Sequence, residues 1–158
     1  MISQILTILG VVIGALTSYL STSAAERARH RRALATRWDE RKLDTYIEYA
    51  TCVKEIADLA KRAYQAPDGS DDREQFLSAM NKAEQKRSAL FEALTLLASP
   101  ATTDAATAVN PVVWRMLEAA RRRESDPREI NLVLVEELNN YHRQARLDLD
   151  ISIDHRAP

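Results

Sequence analysis

The fold is decided by LDTYIEYATCVKEIADLAKRAYQAPDG, residues 43–69. Its apolar side chains recur at helical spacing, and the main stripe consists of Tyr46, Ala50, Val53, Ala57, Ala60 and Tyr64. Leu43, Tyr49 and Ile56 widen that stripe. Because an α-helix has about 3.6 residues per turn, all of these side chains fall on one face. Pro67, Asp68 and Gly69 then favour a turn. The sequence therefore predicts an amphipathic helix that packs through one face.

A second amphipathic helix is predicted after this turn. Asp71 with Glu74 is typical of a capping box at a helix start. The apolar positions that follow are Phe76, Met80, Ala83, Leu90, Leu94 and Leu97. Arg87 is the one charged residue in this seam. It either extends its guanidinium to solvent or forms a buried ion pair with an acid of the first helix, of which the candidates are Glu48, Glu55 and Asp58.

Proline and capping signals divide the rest of the chain. Ser99-Pro100 and Asn110-Pro111 each resemble a helix start, which predicts a short helix to about Ala108 and a longer one after it. Asp126-Pro127 predicts a last helix that ends near Asp148. Its apolar face consists of Ile130, Leu134, Leu138, Tyr141 and Ala145, and the preceding helix presents Val113, Leu117 (or Met116) and Ala120. We expect an all-α fold in which residues 38–149 form about four antiparallel helices and residues 150–158 form a tail.

Composition excludes several classes of function. The chain has 158 residues, which is enough for one modest domain. Its 3 glycines cannot supply a glycine-rich phosphate-binding loop. A single cysteine, Cys52, and 3 scattered histidines give no metal-ligand spacing, so we expect neither a metal nor a cofactor. Cys52 itself is expected to be a small packing residue.

The N-terminal segment predicts a transmembrane helix. Residues 1–25 contain no charged side chain and are rich in Ile, Leu and Val, over a length sufficient to cross a bilayer. Arginines follow at once in residues 26–37, namely Arg27, Arg29, Arg31, Arg32 and Arg37. Because arginines beside a span are retained in the cytoplasm, we expect a single-pass inner-membrane protein with its N-terminus outside and its body in the cytoplasm.

Two other interpretations of this segment stay open. A cleaved signal peptide would use Thr22-Ser23-Ala24 as its small-residue site, but no basic side chain precedes the apolar run. The segment would otherwise be a buried helix of a soluble bundle. A further open question is whether the span continues unbroken to about Tyr64, in which case a dimeric coiled coil would be a natural support.

The span also carries a spacing that favours association. Gly10, Gly14 and Ser18 lie four residues apart, so small residues line one face and permit close approach of a second helix. This predicts a homo-oligomer. The arginines of residues 26–37 are expected to lie against anionic lipid headgroups, mainly as topology determinants. Nucleic-acid binding is not expected, because no aromatic residues interleave the arginines.

Residues that could support acid–base chemistry are few. Glu137, Tyr141 and His142 lie close together on the last predicted helix. Each has a structural explanation, since Tyr141 lies on the core face and the other two suit a solvated helix surface. No nucleophile or metal-protease motif is present. We therefore expect a protein that is not an enzyme.

The chain resembles a large set of actinobacterial single-span proteins of unknown function. The resemblance is carried by GVVIGALTSYL, the arginine-rich stretch, RWDERKLDTYIEYA, LLASP and YHRQARLDL, in that order. It implies a short anchor followed by a cytoplasmic helical hairpin and two further helices. It implies no catalytic residues.

Two functions are compatible with these features. The first is a non-enzymatic, membrane-tethered helical interaction or scaffolding module with an unidentified cytoplasmic or membrane protein partner. The alternative is a small membrane-acting effector or immunity protein, related to phage exclusion, lysis or toxins, that oligomerises through its transmembrane helix.

Overall fold

The computed structural model describes residues 37–123 and 125–151, and within them the chain is helical with no strand. Helix α1 covers residues 37–65. It is followed by α2 (Asp71–Leu97), α3 (Pro100–Arg122) and α4 (Pro127–Asp148). The compact unit that holds the bundle begins at Arg41. The predicted all-α bundle of about four helices is confirmed for this part of the chain.

The apolar stripe of α1 is buried as its spacing predicts. The buried positions on this helix include Tyr46, Tyr49, Ala50, Cys52, Val53, Ile56, Ala57, Ala60 and Ala63. Leu43, which was expected to widen the stripe, is instead exposed. The helix gives way to a turn in which Gly69 has a φ of 70°, a left-handed conformation that glycine adopts without strain. This turn sends α2 back along α1.

The start of α2 lies one residue earlier than the capping-box pattern indicates. Ser70 is the N-cap, and its hydroxyl oxygen accepts a hydrogen bond from the Arg73 backbone N–H. Asp71, Asp72 and Glu74 lie in the first turn, where carboxylates favour the positive end of the helix dipole. The acidic residues therefore support this helix start without Asp71 being its cap.

Contacts between helices give an up-down-up-down order. Cys52 contacts Ala83, and Ala63, later on α1, contacts Arg73, which is earlier on α2. Helices α1 and α2 are therefore antiparallel. Arg87 meets Asn110 while Arg73 meets Ala120, so α2 and α3 are antiparallel too. The Ser99 backbone N–H before α3 reaches Asp148 at the end of α4. The bundle is therefore antiparallel throughout.

Alanine is common at the buried faces. Besides those of α1, the core alanines are Ala83, Ala105, Ala106, Ala119, Ala120 and Ala145. Small side chains allow helices to approach near the lower end of the usual 8–10 Å range of interaxial distance. Larger side chains fill the centre, and Tyr49, Tyr141, Met80, Met116, Leu94 and Leu134 are fully buried.

The third helix is continuous, which overturns the predicted break near Ala108. Pro111 lies inside α3, and Asn110 occupies a mid-helix position instead of an N-cap. Pro111 is exposed, so water can hydrate the carbonyl that its missing N–H leaves unpaired. Val109 and Val113 on either side are fully buried, and only an unbroken helix keeps them on one face. Tertiary packing therefore overrides the local signal.

The starts of α3 and α4 agree with the predicted caps. Ser99 accepts a hydrogen bond from the Thr102 N–H with Pro100 in the first turn, and Asp126 accepts one from the Arg128 N–H before Pro127. Helix α4 ends at Asp148 as predicted. Four of its five predicted core positions are buried, namely Leu134, Leu138, Tyr141 and Ala145, whereas Ile130 is half-buried.

Two arginines lie at the end of the bundle where α1 and α3 finish. Buried Arg73 donates hydrogen bonds to the carbonyl oxygens of Ala63, Ala120 and Arg121, near the C-terminal ends of α1 and α3. Arg123, the C-cap of α3, donates to the Ala66 carbonyl and pairs with Asp68 at 3.2 Å. Cations suit helix C-termini because the last carbonyls lack partners in the helix. The two preceding arginines have other partners, since Arg121 donates to the Asn81 side chain on α2 and Arg122 pairs with Glu118 one turn earlier in α3.

Among the helices that the structure describes, none is both long enough and apolar enough to cross a bilayer. The predicted span at residues 1–25, including Gly10, Gly14 and Ser18, lies outside the described residues. So do Arg27, Arg29, Arg31 and Arg32 of the basic segment, and residues 152–158 of the tail. Arg37 is exposed at the first described position of α1.

We predict that Pro111→Ala stabilises the bundle. Replacing an interior proline by alanine stabilises the folded helix by about 3 kcal/mol. Alanine also gives the unfolded chain more conformational freedom, which lowers the stability by about 1 kcal/mol. We therefore expect a net gain of about 2 kcal/mol in the free energy of unfolding. Urea unfolding of the purified full chain in mild detergent, followed by circular dichroism, measures it. Pro100→Ala, in the first turn of α3, is the control and should change little. Equal effects of the two variants would contradict this account of Pro111.

Candidate functional site

One polar cluster lies inside the bundle around Arg87. The Arg87 side chain is 3% exposed and forms two hydrogen bonds with Glu84, each 2.7 Å long. Its third donor reaches the Asn110 side-chain oxygen on α3. The Tyr49 hydroxyl lies 3.0 Å from the Ala106 carbonyl oxygen and 3.3 Å from the same Asn110 oxygen. The cluster therefore links three helices.

This geometry corrects both expectations for Arg87. Its guanidinium does not extend to solvent, and its partner is Glu84 on its own helix, not Glu48, Glu55 or Asp58 of α1. Burial by itself would lower the pKa of Arg87, but the hydrogen bonds and charge of Glu84 outweigh burial and raise it. Burial raises the pKa of Tyr49 to about 12, although Arg87 opposes the change. The cluster holds a permanent ion pair and a protonated phenol. These groups are better suited to stabilising the fold than to transferring protons.

Cys52 is a packing residue. It is fully buried, and its sulfur lies 3.0 Å from the Ala83 carbonyl oxygen on α2. Burial raises the pKa of this thiol, which disfavours the reactive thiolate. Across residues 37–123 and 125–151, no group of three His, Cys, Asp or Glu side chains is placed to hold a metal ion.

A second polar cluster is centred on the Asp148 carboxylate. It accepts hydrogen bonds from the Tyr46 hydroxyl, from the Ser99 backbone N–H at 3.0 Å and from the Lys42 ammonium at 3.3 Å. Burial opposes ionisation of Asp148, but these three donors outweigh it and lower the pKa of the carboxyl. Burial and the neighbouring carboxylate raise the pKa of Tyr46. Asp148 therefore joins α1, α4 and the start of α3.

The residues considered for acid–base chemistry do not form a connected site. The Tyr141 hydroxyl donates to the Tyr46 backbone carbonyl at 3.2 Å, and burial raises its pKa. Burial and the charge of Lys54 lower the pKa of His142, so its imidazole is neutral near pH 7. No side-chain hydrogen bond between described residues joins Glu137 to Tyr141 or His142, although the rings of Tyr141 and His142 are neighbours with centroids 5.8 Å apart. The three side chains are thus not linked to one another by hydrogen bonds.

An open apolar groove runs along the outside of α1 and α4, with a volume of about 420 Å³. It is lined by Leu43, Tyr46, Ile47, Ala50, Thr51, Lys54, Tyr141, His142, Ala145, Arg146, Leu149 and Ile151. Leu43, Ile47 and Ile151 are 40%, 56% and 44% exposed. Its two tyrosines use their hydroxyls within the protein, as described above. This groove is the strongest candidate for a functional surface.

The charges of the groove have one sign. Lys54 and Arg146 line it beside the neutral His142, and no acidic side chain does. Neither Lys54 nor Arg146 forms a salt bridge with any residue in the described ranges. The groove therefore offers apolar contact with cations beside it. Sequence patterns identify the helical faces, but they do not reveal the groove, because it depends on the register of α1 against α4.

No family model, curated protein or solved structure matches this chain.

We predict that Glu84→Ala destabilises the bundle because it leaves the Arg87 charge buried with only Asn110 as a side-chain partner. Breaking a buried ion pair from one side costs about 3 kcal/mol. Adding Arg87→Met should recover about half of this loss, because the stranded charge is then gone. Urea unfolding of the three proteins measures both effects.

Glu92→Ala, at an exposed position of α2, is the matched control and should change stability little. If Glu84→Ala and Glu92→Ala behaved alike, the ion pair would not support the fold.

We predict a pH-dependent loss from Asp148→Asn. The folded-state pKa of Asp148 lies below its unfolded value, near 3.9, so its stabilisation is complete above that value and disappears as pH falls through the folded pKa. At pH 7 the variant should lose about 1–2 kcal/mol, since charged hydrogen bonds become neutral ones. The gap to the unsubstituted protein should narrow as the pH is lowered from 7 through the folded-state pKa of Asp148.

Urea midpoints across this pH range give the result, with Asp44→Asn, an exposed change on α1, as the control. A gap that stayed constant with pH would show that the charge of Asp148 contributes nothing.

Proposed function

We propose that the chain is a non-enzymatic interaction module tethered to the cytoplasmic face of the inner membrane, and that α1 and α4 form its docking surface. The observation that carries this proposal is the open groove between these helices. Its exposed apolar side chains are contiguous, and contiguous apolar surface on a small domain commonly marks a site of interaction.

The satisfied interior supports an interaction role. Arg87, Asp148, Tyr49 and Tyr141 all use their polar atoms on other side chains of the bundle or on the backbone. Such groups hold helices in a fixed arrangement, which suits a surface that must keep its shape. The groove, in contrast, has cations with no described partner.

The tether belongs to the same proposal and comes from the sequence. Residues 1–25 would cross the bilayer, and the arginines of residues 26–37 would face anionic headgroups on the cytoplasmic side. Gly10, Gly14 and Ser18 would allow two spans to associate, which makes the module a homo-oligomer.

We predict that the protein stays with membranes after carbonate extraction and that a C-terminal tag resists protease in spheroplasts until they are lysed. In the same cells, a photo-crosslinking amino acid at Ile47 should give discrete adducts. The same probe at Leu96, an 87% exposed position on α2, is the control and should give none.

A tag digested from outside would overturn the cytoplasmic placement. Extraction by carbonate would overturn the tether. Equal adducts at both positions would overturn the docking surface.

A further inference from the structure

The shape and charge of the groove indicate what it binds. We propose that the groove between α1 and α4 receives an amphipathic helix of a partner protein, and that the polar flank of this helix facing α4 is acidic. This rests on the proposed interaction function and adds the chemistry of the partner.

The dimensions of the groove suit a helix. Two antiparallel helices bound it, and on α1 the lining runs from Leu43 to Lys54, about 16 Å at 1.5 Å per residue. This is about three helical turns, enough for apolar anchors at positions i, i+3 or i+4, and i+7 of a bound helix. Leu43, Ile47 and Ile151 are exposed and therefore accessible to such anchors.

The groove is poorly suited to a small molecule. Small-molecule sites enclose most of the ligand and orient it with a few free polar groups. Here the groove is open, and the hydroxyls of Tyr46 and Tyr141 are occupied by Asp148 and the Tyr46 carbonyl. Contact with the groove floor is therefore apolar and non-directional, so a row of anchors on one rigid element suits it best.

The positive charge on α4 favours acidic residues on the bound helix. Arg146 lines the α4 side, and Arg143, three residues earlier on the same helix, is exposed on its outer surface. Acidic side chains placed above α4 would be attracted by both arginines.

The α1 side has the opposite character outside the groove. At 100° per residue, Asp44, Glu48 and Glu55 fall on the flank of α1 that points away from α4. All three are exposed. Acids of a bound helix would be repelled there and attracted by α4, so the charge asymmetry sets the rotation of the helix in the groove.

Two designed peptides test this inference on the full chain in mild detergent. Each has about 18 residues, leucine and alanine at i, i+3, i+4 and i+7, and neutral glutamine on one flank. The first carries glutamate on the other flank, and the second carries lysine there. Fluorescence anisotropy of the labelled peptides gives their affinities. We expect the glutamate peptide to bind about tenfold more tightly at about 0.1 M salt, and the ratio to fall at about 1 M salt, where screening is strong.

Variants locate the binding. Ile47→Asp should abolish it, whereas Leu96→Asp, a matched change on α2, should leave it unchanged. Arg146→Glu should reduce the preference for the glutamate peptide at least severalfold, while Arg115→Glu, at an exposed position of α3, should not. Circular dichroism of each variant confirms that the bundle is folded. Absence of binding, equal affinities for both peptides, or equal loss in Leu96→Asp would overturn the inference.

Other occupants give distinct results. If Ile47→Asp changed the oligomeric state measured by light scattering, the groove would hold a second copy. If anionic phosphatidylglycerol vesicles, but neither peptide, lost binding on Arg146→Glu, the groove would face lipid. Either result overturns the acidic-helix inference.

These outcomes are separate from the tests of the proposed function. Peptide binding in detergent does not require the membrane tether, and carbonate extraction does not depend on the peptide. A tethered protein that crosslinks at Ile47 but ignores the glutamate peptide would retain the proposed function and lose this inference.

Discussion

The Asp148 carboxylate holds the arrangement on which the rest of the bundle depends. It accepts hydrogen bonds from Tyr46 and Lys42 on α1 and from the backbone N–H of Ser99 before α3. One group therefore fixes the end of α4 against the beginnings of two other helices. Because Tyr46 is held in this way, its neighbour Ile47 and the next turn of α1 face Ala145 and His142 of α4 in a single register. The groove is a consequence of that register.

At the opposite end of the bundle, arginine side chains satisfy the carbonyl oxygens of helix ends. Carbonyl oxygens near the C-terminal ends of α1 and α3 lie together there, and each lacks a partner within its helix. Arg73 and Arg123 supply donors to these carbonyls. Between the two ends, Arg87 and Glu84 neutralise each other next to Asn110. Small alanine faces bring the helices close together, so buried polar groups must be satisfied locally. The three clusters do this at different levels of the bundle, except that the Nε atom of Arg123 is buried without a hydrogen-bond partner among the described residues.

Sequence patterns predict the parts of this fold that local chemistry determines. Ser99-Pro100 and Asp126-Pro127 give correct helix starts because a cap and a first-turn proline act within a few residues. The stripe of α1 gives the correct buried face because helix periodicity is also local. Pro111 does not end a helix because the burial of Val109 and Val113 against other helices outweighs the local cost of the proline. Arg73 and Asp148 could not be assigned from sequence, since their partners are carbonyls, hydroxyls and amides of other helices. The groove escapes prediction for the same reason: it belongs to a pair of helices and to neither alone.

The modest size of the groove bears on how such a module would work. A helix about three turns long buries little surface, and interfaces below about 1,200 Å² are typical of weak and transient complexes. Apolar burial at about 25 cal/mol per Å² must also offset the lost freedom of two molecules. Confinement of both partners to one membrane reduces that loss, because tethering raises their effective concentration without new contacts. A shallow apolar groove with cations beside it, carried on a tethered rigid bundle, would then be sufficient for association on the membrane surface and too weak for stable association away from it. The proposed tether and the proposed groove thus support each other physically.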